Sequence, residues 1–129
     1  MQRHEALRCF DGRELAKFFH RGRKLCCVKY TSEGRKGFLK EKAAAREAAL
    51  KLTIESAGGK LELFNWTVPE SDYSGVTIAE FPDAGTYTAV VSLVQATGAF
   101  SEIKAIELLT ASEIDRGLGK SLTYRAPGA

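Results

Sequence analysis

The chain has 129 residues, 44% of them apolar and 27% charged, the size and composition of one folded globular domain with a single core. Its formal charge of +3 is uneven: residues 1–42 hold 12 Lys and Arg against 5 Asp and Glu, and residues 43–129 hold 7 against 11. No secretory signal is expected, given Glu5, Asp11 and Glu14 within residues 1–23, and the uncharged stretch Ala84–Ser101 is too polar and too short for the ~20 apolar residues of a membrane span, so a soluble cytoplasmic protein is expected.

Residues 1–23 read as a basic N-terminal extension, either solvated or open to an anionic partner, with weak helical potential around Glu14–Phe19. Lys24–Tyr30 is a β-type run that puts Cys26, Val28 and Tyr30 on one face. Thr31–Lys42 is expected to be irregular or briefly helical, because Gly34 and Gly37 weaken a helix. Ala43–Ala57 is the strongest helix. Glu47, Lys51 and Glu55 form one polar stripe on it, and the Ala, Leu and Ile elsewhere predict burial on most sides. Gly58-Gly59 ends it with a left-handed cap. Lys60–Thr67 is a second strand, with Leu61 and Leu63 on one face and Phe64 and Trp66 on the other. Pro69 marks a turn over Val68–Asp72, and Tyr73–Phe81 is the third strand. Pro82-Asp83 opens a helix over Ala84–Ala96, with Asp83 capping its first amides and Tyr87, Val91 and Val94 along one side. Gly98 stops it. Phe100–Leu109 is the fourth strand, and Thr110–Glu113 is a capping box for a short last helix that Gly117 and Gly119 weaken. Residues 120–129 form a tail.

The order strand–helix–strand–strand–helix–strand is the split βαβ, ferredoxin-like plan: an α+β fold with a four-stranded antiparallel sheet and two helices on one face. The second strand carries large apolar side chains on both of its faces, and two helices cover only one. Sheet-on-sheet homo-oligomerisation, as a dimer or larger, is the economical way to bury the other. The last helix or the basic arm folding over the sheet would meet the same need.

Several segments, in order, resemble the GYD-domain proteins: VKYTSEG (Val28–Gly34), EAALKLTIESAGGKL (Glu47–Leu61), FNWT (Phe64–Thr67), IAEFPD (Ile78–Asp83) and TASEI (Thr110–Ile114). The resemblance covers Lys24–Gly119. It implies a small bacterial protein of the dimeric α+β barrel group, and it implies fold and self-association more firmly than any activity. Where members carry the Gly, Tyr and Asp of the family's name, this chain has Ser71-Asp72-Tyr73-Ser74, keeping only the Tyr.

The chemistry is sparse. Residues 24–129 contain no histidine, which removes the usual general base and the commonest metal ligand; Cys9, Cys26 and Cys27 have no metal spacing, and no phosphate-cradling glycine loop is present. No cofactor and no metal are expected. What remains is a pocket between sheet and helices walled by Tyr30, Trp66, Tyr73 or Tyr87, with Asp72 at its mouth. These residues suit a small organic ligand held by a non-catalytic binding or scaffold module. Two alternatives stand beside it: a cofactor-free enzyme of isomerase, decarboxylase or oxygenase type, and an RNA-binding module, against which the basic charge lies in the arm rather than on the central strands.

Overall fold

The computed structural model describes residues 22–129; the basic extension up to residue 21, with His4, Cys9, His20 and the stretch Glu14–Phe19, lies outside the described residues. The elements are β1 (Gly22–Tyr30), α1 (Ser32–Glu41), α2 (Ala43–Ser56), β2 (Lys60–Trp66), β3 (Gly75–Phe81), α3 (Ala84–Ala96), β4 (Phe100–Leu108) and α4 (Ala111–Leu118). The strands form one antiparallel sheet in the order β2-β3-β1-β4, the ferredoxin-like arrangement. No helix among the described residues is long and apolar enough to cross a membrane.

Alternation sets the covered face. Gly75, Thr77, Ala79 and Phe81 of β3 are all buried, beside Cys26 and Val28 of β1. Ile54 of α2 and Val90 of α3 close on Ala79 and Phe81, with Leu50, Leu61, Tyr87 and Val94 packed around them. Both helices therefore lie on the same side of the sheet. Phe38 of α1 stands 5.7 Å, centroid to centroid, from both Tyr30 and Trp66, so α1 covers one end of that face.

Two local expectations are corrected and one is sharpened. Of the irregular or briefly helical alternatives for Thr31–Lys42, the helix is the one formed, over Ser32–Glu41. The Thr31 hydroxyl accepts from the Gly34 amide at 3.0 Å and donates to the Gly98 carbonyl at 2.8 Å, which caps the helix and ties it to the turn after α3. Gly34 is there for contact and not as a breaker: a Cβ on it would lie 2.0 Å from the Ala99 carbonyl oxygen. Strand β2 carries an irregularity between Leu61 and Leu63, so that Leu61 pairs with Ala79 and Leu63 with Ile78. The additional residue, Glu62, turns Leu61 onto the covered face with Phe64 and Trp66 and leaves Leu63 on the opposite face. Finally, α2 is not buried on most sides. Ile54 is its only buried residue, and Leu52 is 70% exposed. Alanine favours helix intrinsically without demanding burial, so an Ala-rich surface helix needs only one packed edge.

Register also defines the uncovered face. Leu25 sits opposite Ile78 and Ile106, Cys27 opposite Val76 and Lys104, Arg23 opposite Glu80 and Leu108, and Lys29 opposite Glu102. With Leu63, this gives an apolar centre bordered by charges of both signs. No described helix packs on it. Helix α4 follows β4 with both hydrogen bonds of its capping box formed, yet Ile114 and Leu118 on it remain exposed.

Candidate functional site

On the covered face, α2 and α3 stand apart and leave a narrow cleft of about 90 Å³ that reaches the sheet. Leu50 and Ile54 form one wall, Val90 and Val94 the other, and Arg46 stands at the mouth. The floor contains Cys26, Thr77 and Ala79. Almost all of this surface is apolar. Its polar tips come from three side chains, the Cys26 thiol and the hydroxyls of Thr77 and Tyr87, all of which line it. Burial pushes the Cys26 thiol above its ordinary pKa, and burial together with the neighbouring thiol pushes the Tyr87 phenol up as well. Both groups stay protonated at neutral pH. Just outside, the Lys24 ammonium lies 5.0 Å above the Tyr87 ring and pairs with Glu107 at 3.1 Å.

A second, more polar cleft of about 450 Å³ opens beside the β2–β3 connection, with Lys29, Tyr30, Arg35, Asp72, Tyr73 and Ser74 among its walls. The Thr67 hydroxyl donates to the Tyr73 carbonyl, and the Ser71 hydroxyl accepts from the Tyr73 amide, so short-range bonds shape this connection. Ser74 is buried. Its hydroxyl oxygen accepts from the Tyr30 amide and from the Arg35 guanidinium, each at 3.1 Å.

The five residues singled out from the sequence do not form one pocket. Tyr30 and Tyr87 line the interhelical cleft; Tyr30, Asp72 and Tyr73 line the second. Trp66 is packing: it stacks on Phe64 at 4.1 Å, and its indole N–H donates to the Tyr30 hydroxyl at 3.4 Å. Sequence reasoning missed Thr77, Arg35, Arg46 and Ser74 as lining residues and gave Cys26 no part in a pocket. For Thr77 a signal existed, a hydroxyl in the inward register of an otherwise apolar strand. Among the described residues no group of His, Cys, Asp and Glu is placed to hold a metal ion.

Sheet order, helices on one face and an aromatic-edged cleft beneath them define a small ferredoxin-like α+β domain. The family model for the GYD domain matches residues 25–118, and the chain belongs to the GYD domain family. Comparison with curated proteins and comparison with solved structures each give no match.

Proposed function

We propose that this GYD-domain protein is a non-catalytic homodimeric module that binds a small, largely apolar molecule in the cleft between α2 and α3. The observation that carries the reading is the cleft itself. Protein interiors are close-packed, so an unfilled slot lined by Leu50, Ile54, Val90 and Val94 forfeits contacts that a ligand would restore. The hydroxyls of Thr77 and Tyr87 and the Cys26 thiol supply the few fixed polar tips that orient a ligand with one hydrogen-bonding group. Their protonated state favours recognition over acid–base chemistry. Dimer formation rests on the uncovered sheet face, whose apolar centre and mixed charged border have the make-up of a subunit interface.

A titration of the full chain with 4-ethylphenol, followed by amide shifts in NMR spectra, tests the site. Saturable shifts are expected at Cys26, Thr77, Val90 and Val94, and Val94→Phe, which fills the slot from α3, is expected to abolish them while the domain stays folded. Shifts scattered over the surface, or affinity unchanged in Val94→Phe, would overturn the reading.

A further inference from the structure

Arg23, Lys24, Lys36, Arg46, Lys51 and Lys104 each stand within ion-pair distance of a glutamate. Arg35 does not. Among the described residues its charge has no carboxylate partner, although the side chain is held firmly. One N–H is fixed on the Ser74 hydroxyl, and the guanidinium lies 5.1 Å from the Tyr30 ring centroid and 5.8 Å from that of Phe38. A guanidinium has five N–H donors in a planar fork, so most of its hydrogen-bonding capacity remains unused. This fork borders the polar cleft of about 450 Å³, where Lys29 adds a second cation and Val68 and Pro69 an apolar wall.

We propose that this second cleft binds a small monocarboxylate with an apolar body, the carboxylate received by Arg35 and the body resting on Val68 and Pro69. Pre-organisation favours it, because Ser74 and the two rings have already restricted the arginine's rotamers and little order remains to be imposed on binding. The Asp72 carboxylate in the same wall selects against dianions, since each further negative charge at the site is repelled by it. The two clefts share Tyr30, but Arg35, Val68, Pro69 and Asp72 line only this one, so the assignment does not depend on what the interhelical cleft binds.

Calorimetric titration and NMR of the full chain with phenylacetate, phenylacetamide and inorganic phosphate test the assignment. Phenylacetate is expected to saturate, with amide shifts at Tyr30 and at Ser71 to Ser74. The uncharged amide and phosphate are each expected to bind weaker by roughly tenfold or more. Ser74→Asp places an internal carboxylate against Arg35 and is expected to weaken phenylacetate by a similar factor while Tm holds or rises. Arg35→Gln is expected to weaken it as well, and Val94→Phe to leave it unchanged. Absence of saturation, phosphate binding as tightly as phenylacetate, or full affinity in Ser74→Asp would each overturn the proposal.

Discussion

Gly34 and Gly37 stand one helical turn apart in α1 and answer opposite demands. Nothing lies within 4 Å of the position a Cβ would take on Gly37, whereas on Gly34 it would strike the Ala99 carbonyl and the Tyr30 ring. Gly37→Ala is therefore expected to raise stability by roughly 0.5–1 kcal/mol through helix propensity. Gly34→Ala is expected to lower it by roughly 1–3 kcal/mol or more by overpacking against backbone that cannot rotate away. Urea midpoints of the two variants moving in the same direction would contradict this. Asp83 gives a second contrast, in pH. The Thr86 amide, 2.7 Å from its carboxylate, holds the Asp83 pKa below its ordinary value. Its contribution to stability is thus complete above the unfolded-state pKa and drains away as pH falls through the carboxylate range toward the lower folded value. Asp83→Asn keeps a cap without the titration, so its Tm is expected to fall less steeply than that of the parent between about pH 6 and about pH 3. The caps at Asp83 and Thr110 were legible in the sequence because a cap and its amides lie within one turn of chain. The reason for Gly34 was not, since the atom it avoids belongs to Ala99.

At the scale of elements, periodicity succeeded where pairing is regular and failed where it is not. Strand β3 shows unbroken alternation, Val76, Ile78 and Glu80 facing away from the helices and Thr77, Ala79 and Phe81 toward them, as two-residue spacing requires. In β2 the inserted Glu62 reverses the faces on one side of the irregularity, and no composition signal announces it; its side chain instead accepts from Arg23 at 2.8 Å. Helix α4 is well specified locally and poorly supported globally, as it makes no substantial packing contact with another described element. A helix of eight residues is marginal in water by itself. Thr110→Ala removes the capping box, at a cost to α4 of about 1 kcal/mol. Hydrogen exchange is expected to quicken across residues 111–118 while Tm of the domain holds, the behaviour of a segment that opens locally. A parallel fall in Tm would show α4 docked on a second subunit.

For the whole molecule, the architecture was readable from element order because three connections of these lengths leave few ways to pair four strands. One uncovered face followed from counting helices. A pocket between sheet and helices was expected from the sequence, but not its division into two clefts: Cys26, Thr77 and Tyr87 share a lining only after β1, β3 and α3 have come together, and Arg35 meets Ser74 only across the end of the sheet. The proposed dimer has a direct consequence at Ile106, which is 60% exposed in the isolated subunit on the uncovered face. Ile106→Glu is expected to cost the subunit little and to convert a dimer to monomers by analytical ultracentrifugation, with the circular-dichroism spectrum unchanged. A variant that still sediments as a dimer would move the interface elsewhere.

The position of β1 inside the sheet also governs how the protein is made. Cys26 bonds across to the neighbourhoods of Thr77 on one flank and Ala105 on the other, so the strand translated ahead of the other three has both its neighbours further downstream. On the ribosome one edge waits for β3 and the other stays bare until β4 has left the exit tunnel. Sheet closure is then a late event of long-range contacts, which are slow to form and prone to mispairing with other nascent chains. Yield in a cell is therefore expected to respond to chaperone supply and growth temperature more sharply than the stability of the finished fold would suggest.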